Sequence, residues 1–517
     1  MTIRRLYPVK FILLASATIA LLVISSNKLE HIKKFTSSSI PAHIHPDYSD
    51  ITIPPNIACL NFVIEEEGTQ YQVQISGRAG NSFAVSSPNG KICMSLSKWA
   101  RLLDANKGGQ ICFDIYVKKP HIGWVKYPTI INTVAKEIID PYLVFRLTGP
   151  IFNFWHTIAI CQRNLTSFKS RFVLHGGSFE NGCLNCHTFL NNSPEKITIA
   201  IRSKQAGDST IMVTDRKVEK INSKWSYTAW HPSGKLAAYS INKVNQFFHI
   251  NRIEERDVVD LDSAILYYLV DKQQTKSIPS LAQKDLLETY PSWSPDGKYL
   301  YYCCAPILWQ DRDKLPPEHW EKVKYSLKRI SYNIDTDNWG QPETILSAEQ
   351  TGLSILLPRI SPDGRFLLFC MCEYSCFPVY QPSSDLYMMD LATGQYKKLD
   401  AANSNYAESW HSWSSNSRWI AFSSKRLGGL FTRTYFSYVD SNGNVSKPFI
   451  LPQKDPQYYD SLTKVYSVPE LITAPVKVSL WELAKAIRSS DKIETAMPIT
   501  GATTKSDTSA PYEQSDK

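Results

Sequence analysis

One short sequence unit recurs four times in the second half of the chain, and it restricts the fold more than any other feature. Each copy has an apolar residue, then a Pro-Asp-Gly-like turn, then an alternating apolar run. The copies occupy residues 230–240, 293–302, 360–369 and, in degenerate form, 413–423. Pro fixes φ and Gly accepts a positive φ, so the turn joins two strands. A later segment such as residues 385–390 closes each unit, which predicts a four-stranded sheet.

A single sheet of this kind has two faces to bury and cannot bury them alone. Several sheets must therefore stack in a ring, which predicts a mainly β fold of the β-propeller type. Four clear turns plus less regular flanking strands at residues 142–146, 157–160 and 197–213 predict five to seven blades, about six. The 43% hydrophobic and 20% charged residues are ordinary for a globular protein of this kind.

The N-terminus has the pattern of a targeting segment. Arg4, Arg5 and Lys10 precede an uncharged, mostly apolar run over residues 11–24, which is typical of a secretory signal or a short membrane anchor. No small-x-small cleavage site follows and no Cys occurs before Cys59, so we expect an uncleaved anchor. Positive charge before the apolar run keeps the N-terminus cytoplasmic. The rest is predicted on the periplasmic side of the inner membrane, or exported if the segment is cleaved.

The remaining organisation follows from shifts in composition. We expect a small N-terminal β module with alternating strands such as residues 71–75 and 111–117, and a short helix at residues 97–104. A Ser/Thr-rich tail with few large apolar residues predicts disorder. The predicted boundaries are an anchor at 1–26, a linker at 27–45, the β module at 46–138, the propeller at 139–475 and the tail at 488–517.

The sequence Cys183-Leu184-Asn185-Cys186-His187 is the most informative chemical motif. A C-x-x-C-H motif supplies two thiols for the haem vinyl groups and a histidine for the iron. It predicts one covalent haem c, with thioethers at Cys183 and Cys186 and His187 as the proximal ligand. A plain disulfide, half of a zinc site and a redox-active dithiol remain open readings of the same two cysteines.

The second axial ligand is not obvious from the sequence. His249 and His175 are the leading candidates, whereas His231 is expected to fix a repeat turn and His411 to be structural. Three basic residues could hold haem propionates, since a guanidinium or ammonium group pairs well with a carboxylate; they are Lys425, Arg426 and Arg433. Four further cysteines are expected to be buried small hydrophobes; they are Cys303, Cys304, Cys370 and Cys372.

The Ser-Pro-Asp-Gly repeats resemble those of the TolB-type propeller over about residues 140 to 470. The order of the segments at 53–56, 139–142, 182–187, 230–234 and 423–426 resembles a Bacteroidetes-type family of TolB-like proteins related to cytochrome c. The resemblance implies an exported propeller with one C-x-x-C-H motif, which we expect in an insertion near the start of the ring. Relatives often carry a His two residues before Arg202, where this chain has Ala200. If that His binds the iron in relatives, this chain uses another group as the second axial ligand or leaves that position open.

The sequence thus favours an exported, membrane-anchored propeller with a c-type haem, for electron transfer or redox sensing with an envelope or redox protein. The alternative is a haem-free scaffold that binds envelope proteins or glycans and has a Cys183–Cys186 disulfide. No G-x-S-x-G elbow or glycine-rich phosphate loop predicts an enzyme, although a haem with an open axial position could support peroxidase-like chemistry. The net charge of +9 includes no run of like charges, so no nucleic-acid partner is expected.

Overall fold

The computed structural model describes residues 32–149, 155–249, 254, 256–281, 283–311 and 314–495. The predicted anchor at residues 1–26 lies outside these residues. Within them, no helix is both long and apolar enough to cross a membrane.

An N-terminal module contains the first ten strands and the first helix, α1 (Leu96–Ala105). The side chains of Trp99, Leu102 and Leu103 fix α1 on the module's core. The first two strands lie in the predicted linker, but they pair with β9 and β4, so residues 36–45 belong to the module. The ten strands are β1 (Thr36–Ser37), β2 (Ile44–His45), β3 (Thr52–Ile53), β4 (Phe62–Ile64), β5 (Gln70–Gly77), β6 (Phe83–Ser87), β7 (Lys91–Ile92), β8 (Gln110–Lys119), β9 (Gly123–Lys126) and β10 (Ile130–Val134).

The rest of the chain forms six small antiparallel sheets, A to F. Sheet A contains β11 (Tyr142–Thr148), β12 (Ala159–Asn164), β13 (Ser170–His175) and the last strand, β35 (Val465–Ile472). Sheet B contains β14 (Cys183–Leu190), β15 (Ser193–Arg202), β16 (Ser209–Thr214) and β17 (Lys217–Ile221). Sheet C contains β18 (Thr228–Trp230), β19 (Leu236–Phe248), β20 (Arg256–Leu269) and β21 (Gln274–Ser277).

Sheets D, E and F follow the same plan. Sheet D contains β22 (Leu286–Trp293), β23 (Tyr299–Pro306), β24 (Ser326–Asn333), β25 (Asn338–Trp339) and β26 (Glu343–Leu346). Sheet E contains β27 (Ser354–Ile360), β28 (Phe366–Cys372), β29 (Asp385–Asp390) and β30 (Tyr396–Lys398), and is preceded by the short helix α2 (Ala348–Thr351). Sheet F contains β31 (Glu408–Trp413), β32 (Trp419–Ser424), β33 (Arg433–Tyr438) and β34 (Phe449–Ile450).

The six sheets form a closed, propeller-like ring. One edge strand of each sheet contacts the corresponding strand of the next sheet, in the order β14, β18, β22, β27, β31, β35 and back to β14. These are the innermost strands. The chain closes the ring by pairing its last strand, β35, with β11, so sheet A combines strands from both ends of the ring segment. The predicted mainly β, propeller-like fold is confirmed.

The repeated turn has the same construction in three sheets. A Ser hydroxyl bonds the side chain two residues later, as from Ser294 to Asp296 and from Ser361 to Asp363, each at 2.6 Å. In the degenerate copy, Ser414 bonds Asn416 in the same way, also at 2.6 Å. The Ser oxygen also accepts the backbone N–H five residues on, which starts the next strand. The repeat is therefore a local hydrogen-bonded unit as well as an apolar pattern.

The C-terminal helix α3 (Leu480–Arg488) packs against sheets A and B. Its N-terminus has a capping box in which Ser479 and Glu482 exchange hydrogen bonds. Beyond the helix, Ile493 exchanges backbone hydrogen bonds with residues on either side of Ile221. Residues 488–495 are thus held on the ring rather than in the predicted tail, and residues 496–517 lie outside the described part of the chain.

Candidate functional site

The Cys183–His187 motif lies on β14, the innermost strand of sheet B. The prediction that it forms an insertion is wrong, because the motif is the first strand of a regular four-stranded sheet. Leu184 pairs with Ile201 and His187 pairs with Ile199 on β15. Asn185 and Cys186 therefore form a bulge opposite a single residue, which by the register is Ala200.

The same bulge recurs around the ring. Register shifts place two residues of the innermost strand opposite one residue of its neighbour in five of the six sheets, at 185–186, 290–291, 357–358, 410–411 and 468–469. The first bulge residue has a positive φ in four of them, namely Tyr290, Leu357, Trp410 and Val468. The residue opposite the bulge is aromatic in those four sheets, as Tyr302, Phe369, Phe422 and Phe145, and is Ala200 only in sheet B.

The bulges surround a small central cavity. Cys186 and His187 form part of its wall. All six innermost strands or the residues beside them contribute to the wall, which is completed by Tyr227, Thr228, Tyr290, Pro291, Leu357, Pro358, Arg359, Trp410 and Val468. A second small cavity shares Trp410 with the first and is also lined by Arg146, Arg256, Tyr380 and Lys425.

The imidazole of His187 is the most unusual group in this wall. The residue is 2% exposed, and neither ring nitrogen has a partner in hydrogen-bonding geometry. Burial lowers the pKa of His187 to about 3. The charge of Arg146 also lowers this pKa, the Val144 backbone opposes the shift, and the charge of Arg359 lowers the pKa further. His187 is therefore a neutral imidazole at physiological pH.

The two motif cysteines have different surroundings. Cys186 is half-buried in the cavity wall, where desolvation raises the pKa of its thiol to about 11. Cys183 is fully buried in the apolar cluster between sheets A and B, and its sulfur accepts a hydrogen bond from Arg202 at 3.6 Å. All eleven cysteines of the chain are free thiols in the structure. Only Cys186 and His187 of the motif thus face the cavity.

Sequence reasoning missed two arginines beside the motif. Arg359 forms an ion pair with Glu470 at 3.1 Å, and burial raises the pKa of this carboxyl group. Arg146 donates to the side chain of Asn185 at 3.1 Å, next to Cys186. Arg359 and Glu470 directly follow the bulges of β27 and β35, as His187 follows the bulge of β14. Aligning the repeats through the bulge would have revealed these residues.

Aromatic rings make up another part of the wall. The rings of Tyr227 and Tyr290 lie 4.2 Å apart, and Trp410 lies 6.0 and 6.3 Å from them. Tyr290 donates its hydroxyl hydrogen to the carbonyl of Cys376 at 2.6 Å. The three rings are inclined to one another, so this part of the wall is aromatic but not flat.

The predicted second axial ligands lie elsewhere. His249 follows the long strand β19; its ring lies 3.4 Å from Asp257 and stacks on Trp320. His175 ends β13, the outermost strand of sheet A, with its ring against Phe172. Neither residue is part of the cavity wall. His175 is on the outer edge strand of sheet A, and His249 is at the end of the hairpin formed by β19 and β20; neither position faces the centre of the ring.

The other two histidines have structural partners, as predicted. The Nε2 atom of His231 lies 3.1 Å from the carbonyl of Gly297, and Nε2 of His411 lies 3.1 Å from the carbonyl of Leu368. His411 occupies the second bulge position in β31, which corresponds to Cys186 in β14.

The three predicted propionate ligands are engaged within the protein. Lys425 pairs with Glu254, and Arg426 pairs with the buried Glu408 at 3.1 Å. Arg433 donates to the carbonyls of Leu462 and Lys464. Lys425 lines the second cavity, next to the motif. The four other predicted structural cysteines, Cys303, Cys304, Cys370 and Cys372, are buried.

No protein-family model matches the chain, and no curated protein matches it. Among solved structures, hydrazine synthase of Kuenenia stuttgartiensis is 15% identical with a TM-score of 0.30, over 49% of this chain and 63% of that chain. Dipeptidyl peptidase 4 of Porphyromonas gingivalis is 12% identical with a TM-score of 0.29, over 57% of this chain and 44% of that one. An oligogalacturonate lyase in complex with manganese is 10% identical with a TM-score of 0.34, over 79% and 99% of the two chains. Similarity at this level has no bearing on function.

Proposed function

We propose that the central cavity holds one c-type haem, with His187 as an axial ligand, and that the protein serves electron transfer or redox sensing in the cell envelope. The observation that carries the proposal is the imidazole of His187, which is buried in the cavity wall with neither nitrogen in good hydrogen-bonding geometry, although the Val144 backbone lies close enough to act on its pKa. A buried polar atom without a partner costs roughly 1–3 kcal/mol. A ligand outside the chain would remove that cost.

The protonation state of His187 agrees with this role. A metal ligand must be a neutral imidazole, and the lowered pKa of about 3 keeps His187 neutral well below physiological pH. Arg146 and Arg359 maintain this state, because a second positive charge beside them is unfavourable. His411, at the bulge of β31, is a poorer candidate because its Nε2 atom already faces a carbonyl.

The thiol of Cys186 is the group that would attach the haem. It faces the cavity next to His187, whereas Cys183 lies outside the cavity wall. Attachment through Cys186 alone leaves the packing between sheets A and B unchanged. A second thioether at Cys183, as the motif alone predicts, would require that thiol to leave its buried position. We therefore propose Cys186 as the principal attachment point.

The cavity is small, so its wall would have to open to admit a haem. Tyr227, Tyr290 and Trp410 supply aromatic rings to this wall, and Arg359 supplies a positive charge that it shares with Glu470. Ala200 leaves sheet B without the aromatic ring that four other sheets have opposite the bulge. A bound haem supplies a one-electron redox centre. No second histidine of the described residues lines the same cavity.

An absorbance spectrum tests this function. The full chain, produced together with haem-attachment machinery, should show a Soret band and an α band that persist after denaturation and extraction. His187→Ala should shift or abolish these bands, because the iron loses its ligand. His411→Gln is the matched control. His411 is also a buried histidine at a bulge of an innermost strand, but it does not line the central cavity, so its loss should leave the spectrum unchanged. A wild-type chain without a Soret band contradicts the proposal.

A further inference from the structure

The turn between β8 and β9 exposes apolar and basic side chains together. Residues 118–126 read Lys-Lys-Pro-His-Ile-Gly-Trp-Val-Lys. Ile122 at the tip is 61% exposed, although a large aliphatic side chain normally gains by burial. Phe35 is 43% exposed beside the same hairpin, with its ring 5.6 Å from that of Tyr116. We name residues 118–126 together with Phe35 the hairpin tip.

The chain enters the N-terminal module at this tip. Strand β1 runs parallel to β9, with Thr36 beside Val125 and Ser37 beside Lys126. Because both strands lead away from the turn, the residues before Thr36 approach from the side on which Ile122 lies. The predicted anchor ends at residue 26, only nine residues before Phe35. Nine residues span at most about 30 Å, so with the predicted anchor in a membrane the tip would lie near the point where the chain leaves it.

The charges around the tip suit an anionic surface. Lys33, Lys34 and Lys118 are exposed, and Lys118 donates only to the neutral side chain of Gln70 at 3.4 Å. Lys126 is neutralised by Asp114 at 2.9 Å. Glu66 and Glu67 act on Lys119 of the tip and offset its charge. The basic side chains that remain are Lys33, Lys34 and Lys118, while Ile122 and Phe35 supply apolar contact. This combination is typical of segments that lie in the interface of a bilayer.

We propose that the hairpin tip rests on the surface of an anionic lipid bilayer and fixes how the ring stands above the membrane. The contact combines insertion of Ile122 and Phe35 at the headgroup boundary with attraction of the lysines to anionic lipid. Each lysine near such a surface strengthens association by about five-fold. The inference rests on the predicted anchor and is independent of the haem.

Hydrogen–deuterium exchange of the full chain tests this contact. The protein is reconstituted in vesicles of phosphatidylglycerol and phosphatidylethanolamine, in phosphatidylcholine vesicles and in detergent micelles. We expect the amides of residues 121–124 to exchange several-fold more slowly in the anionic vesicles than in the other two. The turn at residues 440–444 on sheet F is an internal reference and should exchange equally in all three.

Matched variants distinguish the tip from general adsorption. Ile122→Ser and Lys118→Gln should each restore much of the fast exchange. Ile131→Ser is the control, because Ile131 is 45% exposed in the same module but lies on β10. Equal exchange in anionic vesicles and micelles would overturn the proposal, as would slowing that survives both tip variants. A full chain that fails to float with vesicles would overturn it too, and would leave the haem proposal untouched.

Discussion

At the scale of single residues, two buried histidines on innermost strands, His187 and His411, show how the surroundings of a side chain decide its chemistry. Burial lowers the pKa of both His187 and His411 to about 3, so both are neutral. His411 has a carbonyl partner for Nε2, whereas His187 has no bonded nitrogen. A sequence shows only that both are histidines. The difference lies in the carbonyl of Leu368. This residue is on β28 of sheet E, the sheet next to that of His411.

The lowered pKa of His187 predicts a specific pH dependence of stability. In the haem-free chain, the unfolded state binds a proton at His187 below pH about 6.5, whereas the folded state does so only near pH 3. The folded form therefore loses stability as the pH falls through this window. Relative to His187→Leu, the wild type should lose roughly 2–3 kcal/mol between pH 7 and pH 4.5. Urea unfolding of both chains at several pH values measures the difference; parallel curves would contradict the assigned environment.

Residue types and their chemistry could be predicted from the motif, but their spatial grouping could not. The prediction named Cys186 and His187, which share the cavity wall, and also His249 and His175, which do not. Arg359 and Glu470 were missed because they are separated from the motif by more than 150 residues. Only the closure of the ring brings them together.

At the scale of strands and turns, the repeated bulge is the feature that builds the cavity. It disturbs the ladder at the same level in five of the six sheets and brings at least one residue of each of these five bulges to the cavity wall. Sheet B was not recognised as a repeat because its turn is Asn191-Asn192, with positive φ at both residues, in place of Pro-Asp-Gly. Asn accepts a positive φ, so this pair makes the equivalent tight turn. That pair, eight and nine residues after Cys183, was the available signal.

Two turn glycines allow a controlled test of how neighbouring sheets lock together. Gly297 and Gly364 have nearly equal φ values of +71° and +74°. A Cβ atom at Gly297 would lie 2.3 Å from Nε2 of His231 in sheet C, whereas one at Gly364 meets no atom within 4 Å. Gly364→Ala should cost about 1 kcal/mol from backbone strain alone. Gly297→Ala should cost roughly 1–3 kcal/mol more. Denaturant titrations compare the two, and equal losses would refute the role of His231.

At the scale of the whole molecule, the architecture was the most predictable property. Four turn repeats are enough to require a ring, since an isolated sheet cannot bury both faces. The strand pairing that closes the ring could not be predicted from the sequence. β35 has no Pro-Asp-Gly turn, and it pairs with β11, which is more than 300 residues away in sequence. Domain edges also shifted, since the segments at 36–45 and 488–493 have few apolar residues yet find backbone partners.

The intact mass of the chain, produced together with haem-attachment machinery, shows whether a haem is covalently bound. We expect a wild-type mass increased by one haem, an increase kept by Cys183→Ala and lost by Cys186→Ala. The adduct should survive reducing agent, because a thioether is not reduced. A wild-type mass equal to that of the polypeptide alone would contradict a haem in the central cavity. Loss of the adduct in Cys183→Ala but not in Cys186→Ala would contradict the assigned attachment.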